Sequence, residues 1–519
     1  MHIDARTLPD GTVLEGDVCI VGAGAAGITI ARELGKTPLN VLLLEGGGFD
    51  FDPKMQELYR GDIIGEPYYP LQAASLHYFG GTTGHWAGWC SPYEPIDFQK
   101  RDWIPHSGWP IRREDLDPFY ARAQPILDLG PYKYAAADWK NGDPDRVPLL
   151  PDSRDFWTKM WQFSPPTRFG TKYRSEIVNA PNIHLYTHAN VVEVEANEGL
   201  SAVQSVRIRT FEGKEYRAHA KRFVLACHTI QNARLLLASN SRARNGLANE
   251  NDLVGRYFME HLEMPAAELV LENPEKTKPD LYALDMTRRT PRGEIAISPA
   301  AQREYGVLHG TTAVEAGTYG EPVESTFQFM DTATVTAIRK WEEGGKKGPA
   351  PLTESAPPPA RGAGNAQRFF HLTTRQEQAP NPDSRVTLSA EKDALGMSRA
   401  RLDWQLTELD KRSMRTFYQL LGREMGRTGT GRVQIREWLL SDDKTWPGFI
   451  SGGWHHMGTT RMHSDPKQGV VDANCRAHSL GNLYIGGAGV YPTAGAVNPT
   501  LTLVALALRL ADHLKAGPD

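Results

Sequence analysis

Cysteine is scarce in this chain: there are four in 519 residues (Cys19, Cys90, Cys227 and Cys475), none in a C-x-x-C pair. That scatter excludes a disulfide framework and supplies no ligand set for zinc or an iron–sulfur cluster. Charge of one sign is missing too, with 58 Lys+Arg against 62 Asp+Glu and a formal net charge of -4. No basic face or tract suited to nucleic acid results. The most apolar stretch, Leu501–Leu508, falls far short of the roughly 20 residues that cross a bilayer, so it reads as a buried helix segment and no membrane span is expected. Met1 to Gly16 has no apolar signal core and no twin arginine, which makes a cytoplasmic location the expectation. There is no internal repeat.

What is present suits an elaborated enzyme. The chain is 40% hydrophobic and 23% charged, ordinary values for a globular protein, and its length implies about two to four domains or one decorated catalytic unit. Asp17 to Val21 is a short apolar run that enters a Gly-Ala turn; a helical pattern follows through Ile28, Ile30 and Leu34, and Val41 to Leu44 reads as a second buried strand. The turn, Gly22-Ala23-Gly24-Ala25-Ala26-Gly27, fits G-x-G-x-x-G. Gly22 permits the tight turn, Gly24 lets the backbone approach a pyrophosphate, and Gly27 packs helix on strand. Glu45, at the end of the second strand, is placed to accept ribose hydroxyls. The unit reads as a dinucleotide site, with a structural glycine turn as the alternative, and the motif alone leaves NAD and FAD open.

From Leu71 to Cys90 glycine, aromatics and hydroxyls dominate, as in a loop passing close to a flat ligand. Further short strands are expected at Val191 to Val194, Val203 to Arg209 and Phe223 to Ala226. Past Leu253 the strands become longer and more amphipathic, until about Leu440. Three segments follow: 1–252 as the N-terminal part of a cofactor-binding domain, 253–440 as a substrate-binding domain, and 441–519 as the C-terminal part of the first. Within the second, the Gly-Lys and Pro357-Pro358-Pro359 stretch near 341–367 reads as a mobile surface loop, whether a lid, an oligomer contact or a plain insertion.

Leu44-Glu45-Gly46-Gly47-Gly48, then Phe79-Gly80-Gly81-Thr82-Thr83-Gly84-His85-Trp86, then the run from Gly452 to Leu508 together resemble the glucose-methanol-choline (GMC) family of FAD-dependent oxidoreductases. The resemblance spans nearly the whole chain. It implies an α/β fold: a Rossmann-type FAD-binding domain formed by both ends of the chain, and a second, α+β substrate-binding domain built on an antiparallel sheet. The implied FAD contacts are Gly22, Ala23, Gly24, Ala25, Ala26, Gly27, Glu45, Gly46, Gly80, Gly81, Thr82, Thr83, His85, Trp86, Ala87, Val192, Ala226, Gly487, Ala488, Asn498, Pro499 and Thr500. For Val192 and Ala226 ordinary sheet packing is the alternative. His85 stands where pyranose oxidases attach their flavin covalently; a non-covalent contact is the expectation here and a covalent link the alternative. Ala87 replaces the threonine that faces flavin N5 in pyranose 2-oxidase, whereas the glycine-rich Gly486 to Gly489 again resembles pyranose oxidases.

In Trp454-His455-His456-Met457-Gly458-Thr459 the resemblance assigns the catalytic base to His455, and in Val497-Asn498-Pro499-Thr500 its partner to Asn498. An alcohol gives up hydride more readily as its O–H proton leaves, and neutral imidazole is matched to taking that proton near neutral pH. The amide of Asn498 can bind the developing alkoxide. His456 is the alternative base, since only one of two consecutive residues on an extended segment faces a given side. Glu377, Gln378 and His456 are expected to touch substrate, and Glu377 also to orient the catalytic pair. Asp383 and Arg385 read as a turn with its own ion pair, and Cys227 and His228 as structural, so no metal is expected. The leading reading is oxidation of a secondary hydroxyl of a sugar or glycoside to a keto-sugar. A nonsugar alcohol, aromatic or polyol, is the alternative, and a flavin-binding scaffold without catalysis the reading from a different class. Some bacterial sugar dehydrogenases of this kind pass electrons through an iron–sulfur cluster. With no cysteine from Ser91 to Ala226, the expected acceptor here is oxygen, a quinone or a soluble carrier.

Overall fold

Short runs of valine, isoleucine and leucine, buried on both faces, build the parallel core of a first sheet. The computed structural model describes residues 1–139, 146–285, 289–317, 368–442, 444–448, 450 and 452–517; the expected loop at 341–367 lies outside them. Numbered along the chain, the first sheet holds β1 (His2–Asp4), β2 (Val13–Val21), β3 (Val41–Leu44), β7 (Ile183–Thr187), β8 (Asn190–Ala196), β9 (Val203–Arg209), β10 (Glu215–Leu225) and β18 (Leu483–Ile485). Their order is β1-β7-β3-β2-β10-β9-β8, with β18 also on β10. The pairs among β1, β7, β3, β2, β10 and β18 are parallel, and β8 and β9 add an antiparallel edge. The helix Ala25–Leu34 packs against the helix Thr500–Ala516. Leu501, Val504 and Leu508, within the expected apolar helix segment, are buried there.

The second sheet is antiparallel. It holds β5 (Trp89–Cys90), β6 (Phe156–Phe163), β11 (His261–Leu271), β12 (Arg292–Ile297), β13 (Gly310–Ala316), β14 (Phe369–Glu377) and β17 (Gly431–Ile435), in the order β17-β11-β14-β13-β12-β6-β5. A third, small sheet joins β4 (Asp62–Gly65) to β16 (Ser398–Trp404) and β15 (Arg385–Lys392). Thus β4, β5 and β6, from the segment 1–252, pair with strands of the segment 253–440. The linear cut at 252 and 253 does not follow the layers, because strand pairing ignores sequence distance.

Period two along the second sheet separates its faces. Thr312 meets the helix Glu408–Arg427 through the Tyr418 hydroxyl (3.0 Å), and Gln376 donates to Asp410 O (2.8 Å). The opposite face carries His261, Glu263, Arg375, Glu377, Thr311 and Glu294, all buried. In the β11–β14 register His261 lies opposite Glu377, and Glu263 opposite Arg375.

Glu377 is the first correction to the sequence reading. Its carboxylate accepts two parallel bonds from Arg101, Nη1 at 2.8 Å and Nη2 at 2.5 Å, and a third from His309 N–H at 3.1 Å. With side chains 1% and 0% exposed, this pair is a structural tie rather than a contact for substrate or base. Glu377→Ala would strand the buried guanidinium. It is expected to cost about 3–5 kcal/mol of stability, read as a lowered midpoint in denaturant, while catalysis by the folded fraction stays near the parent's; a selective loss of turnover at unchanged stability would restore Glu377 to the site.

Candidate active site

One half of the site is backbone. Gly24 caps the helix Ala25–Leu34 without a side-chain hydrogen bond, leaving the first N–H groups of the helix to an anion. A Cβ added at Gly24 or Gly487 would meet nothing within 4 Å, so both glycines border open space. One at Gly27 would strike the Gly22 carbonyl, and Gly22 itself, at φ 100°, turns against the Ala226 carbonyl. Gly80 N–H donates to Ala23 O at 2.8 Å and joins the two glycine segments, bringing Gly81 over Gly24. Glu45 accepts from the N–H groups of Ala23 and Gly47, each at 2.9 Å, and burial raises its pKa against the pull of these donors. Each carboxylate oxygen retains a lone pair for a ribose hydroxyl. Gly46 packs against His77 and Asn190. A bulge removes Val192 from the β8–β9 ladder, while its side chain joins Met55 and Leu58.

The loop with Thr82, His85, Trp86 and Ala87 is fixed by Arg168, whose Nη1 donates to the carbonyls of Thr83 and Trp86, both at 2.9 Å. Thr83 also donates to Gly80 O at 2.6 Å. The His85 Nε2 atom is buried without a partner, and burial lowers the His85 pKa to about 3. Its ring centroid is 5.5 Å from that of Trp454, next to His455. Ala488 O receives Gly458 N–H at 3.3 Å; Pro499 precedes the helix Thr500–Ala516, which also lacks a side-chain cap. Glycines bordering open space, two uncapped helix starts and an orphaned His85 nitrogen fit a flavin dinucleotide.

The other half is side-chain chemistry. Asn498 Nδ2 lies 2.9 Å from His455 Nε2, and Asn498 Oδ1 accepts Trp161 Nε1–H at 3.1 Å. On its far side, His455 Nδ1 is 2.9 Å from His261 Nδ1 and 3.6 Å from Glu263 Oε1. Its backbone N–H donates to Glu260 Oε2 at 2.8 Å. Burial, then His261, Arg375 and His456, hold the His455 pKa well below the usual imidazole value. Arg375 Nε donates to Glu263 at 2.7 Å, and its Nη1 to Glu294 at 3.1 Å. Among the described residues, His261, Glu263 and His455 converge as metal ligands would. Two nitrogens on one tetrahedral zinc stand roughly 3.3 Å apart; the 2.9 Å between the two Nδ1 atoms is hydrogen-bond spacing.

His456 and Gln378 are further corrections. His456 points away from His455, with Nδ1 3.1 Å from His228 Nε2 and Nε2 2.5 Å from the Tyr68 hydroxyl, which in turn donates to Glu260. Burial lifts the Glu260 pKa to about 8. Gln378 is fully buried, accepting from Glu260 N–H and Trp404 Nε1–H, both at 2.9 Å. Asp383 and Arg385 do not form a pair of their own: Arg385 reaches Asp252 at 3.0 Å, and Asp383 faces Arg256 at 3.8 Å. The sequence reading missed Trp161, Glu260, His261 and Glu263. For His261 and Glu263 a signal existed, namely two polar residues alternating with Leu262 and Met264 along one strand.

A family of FAD dependent oxidoreductases matches residues 17–321, and the GMC oxidoreductase C-terminal family matches 380–507. The chain belongs to the FAD-dependent oxidoreductases of the GMC family, and its cofactor is FAD. It is 25% identical to 2-methyl-1,2-propanediol dehydrogenase of Mycolicibacterium austroafricanum, over 96% of this chain and 95% of that one. It is also 25% identical to 6'''-hydroxyparomomycin C oxidase of Streptomyces lividus, over 96% and 92%, and to C-glycoside 3-oxidase of Microbacterium trichothecenolyticum, over 88% and 78%. A crystal structure of formate oxidase shares the fold, with a TM-score of 0.57 at 18% identity over 98% of this chain and 99% of that one. Among the described residues no helix is long and apolar enough to cross a membrane.

The flavin is expected to leave with the supernatant when the holoenzyme is precipitated with acid. A yellow pellet would show a covalent bond instead, for which His85 is the candidate residue.

Proposed function

We propose that the enzyme oxidises a secondary ring hydroxyl of a sugar or glycoside to a ketone. The observation that carries this reading is the pairing of His455 Nε2 with Asn498 Nδ2 at 2.9 Å. Bound FAD supplies the hydride acceptor, its flavin N5. His455 Nε2 takes the hydroxyl proton, and an Asn498 amide N–H holds the oxygen as negative charge develops on it. The chain ends hold the cofactor, and the polar face of the second sheet walls the substrate. The names of the paromomycin and C-glycoside oxidases support a sugar-like substrate. The diol dehydrogenase supports a second reading, a nonsugar alcohol. Electrons leave to oxygen, a quinone or a soluble carrier.

The test is anaerobic mixing with pyranoses, glycosides and simple alcohols, following the oxidised-flavin band. Bleaching by sugars or glycosides is expected; bleaching by nonsugar alcohols alone would move the assignment to the second reading, and none at all would remove both. His455→Ala is expected to keep its flavin and reduce it at least about 100-fold more slowly. Near-parent reduction would place the base elsewhere.

The depressed His455 pKa has a pH consequence. The base works neutral, and falling pH protonates it only below that lowered value. Flavin reduction is therefore expected to stay level from about pH 7 to pH 6 rather than fall through about 6.5, the ordinary imidazole value, while a change near pH 8 would belong to Glu260. An inflection near 6.5 in rapid-mixing rates would contradict the burial of the base.

A further inference from the structure

The hydrogen bonds around His455 have only one direction. Trp161 Nε1–H is a donor only, so the amide oxygen of Asn498 faces Trp161 and its N–H faces His455 Nε2. His455 Nε2 is then an acceptor. At the other end the carbonyls of Ala494 and Gly495, each 3.0 Å from His261 Nε2, are acceptors only, so His261 carries its proton on Nε2 and presents a bare Nδ1. Facing it at 2.9 Å, His455 must donate Nδ1–H. Both ends of the chain thus give His455 the same tautomer, with the proton on Nδ1 and the lone pair on Nε2. In water imidazole of a histidine side chain prefers the other one, so the protein imposes this choice.

We propose that His261 is the positioning residue of the base: by accepting His455 Nδ1–H it keeps Nε2 unprotonated, with its lone pair on the Asn498 N–H until the substrate hydroxyl takes that place, and it shares the positive charge once Nε2 is protonated. This rests on the reading of His455 as base. In the step itself the alcohol O–H bond breaks and an Nε2–H bond forms; the Nδ1–H remains in the bond between the two rings. Glu260 holds the pair in register, its Oε2 accepting the backbone N–H groups of His455 at 2.8 Å and His261 at 3.2 Å. The titratable and charged groups facing the two rings are Glu260 and Glu263 from around β11, Arg375 from β14, Asp97 beside His261, and His456. Glu263, 3.6 Å from His455 Nδ1 and tied to Arg375, is too far to replace His261 as the acceptor.

Two variants separate positioning from packing. Asparagine places an oxygen near the position of Nδ1 and can accept the His455 proton; phenylalanine fills the volume and accepts nothing. Expected for His261→Phe are a parent-like flavin content and a roughly 100-fold slower reduction at saturating alcohol, as for a base held in the wrong tautomer. Expected for His261→Asn is recovery to within about 10-fold of the parent. Equal rates in both variants, or a parent-like rate in His261→Phe, would overturn the proposal. The imidazole nitrogen shifts of 15N-histidine holoenzyme, with the His455 signals assigned by their loss in His455→Ala, test the geometry without turnover. Protonated Nδ1 and bare Nε2 on His455 are expected, and the reverse would overturn the proposal. If the parent shows this tautomer yet no alcohol reduces the flavin, the function assigned to His455 fails while the contact stands.

Discussion

Strand β10 sets the position of everything in the cofactor half. Its Leu225 pairs with Val21 of β2 on one edge and with Ile485 of β18 on the other. Because all three strands run parallel, their following residues emerge at one level: Gly22 from β2, Ala226 from β10 and Gly486 from β18. Ligands of open parallel sheets bind in the crevice beyond such strand ends. One register therefore brings residues from the start, middle and end of the chain to one cradle. The helices Ala25–Leu34 and Thr500–Ala516, packed on each other, make this joining of the chain ends a buried interface rather than a chance approach.

The second sheet solves a different problem. Its inward face buries Arg375, Glu263 and Glu294, and burying charge is unfavourable unless each ion is paired and hydrogen-bonded. Arg375 meets this by reaching Glu263 on β11 and Glu294 on β12, with Thr311 donating to Glu294 at 2.7 Å. Such a lattice adds little net stability over an apolar one. What it gives is position, holding Glu263 beside His455 and a polar wall toward the cradle. The ion pairs are thus better understood as scaffolding for chemistry than as a source of stability.

The parts legible in the sequence were those whose signal is local. The turn Gly22 to Gly27, the strands beside it and the motifs around His455 and Asn498 are short patterns with a fixed physical demand. Partners fixed by strand pairing were not legible. Glu377 looked like a catalytic neighbour because the segment from Glu377 to Val386 resembles one that returns toward the flavin in the GMC family, yet its face and partner follow from the β11–β14 register and from Arg101, far away in sequence. The cut near Leu253 does not follow the sheets for the same reason, as β6 lies between β12 and β5 in the second sheet. His261 and Glu263 stood between these cases: alternation put them on one face, but only the pairing of that strand shows that the face meets His455.

His455, the proposed base, owes its place to a count of residues. Bridges join Met259 to Met457 and Leu262 to Gly452, so the segment from Gly452 to Met457 has two more residues than the strand it faces. The excess must bulge outward. Trp454 absorbs the turn at φ 58°, a conformation that for a bulky residue stores on the order of 1–3 kcal/mol and persists only where its surroundings hold it. Beyond it His455 and His456 project to opposite sides, one toward Asn498 and His261, the other toward Tyr68 and His228. His228, at φ 84°, is strained as well. A strained Trp454 within a segment pinned at its two ends makes the direction of His455 a property of the backbone, and the proton acceptor proposed there need not be ordered anew in each turnover.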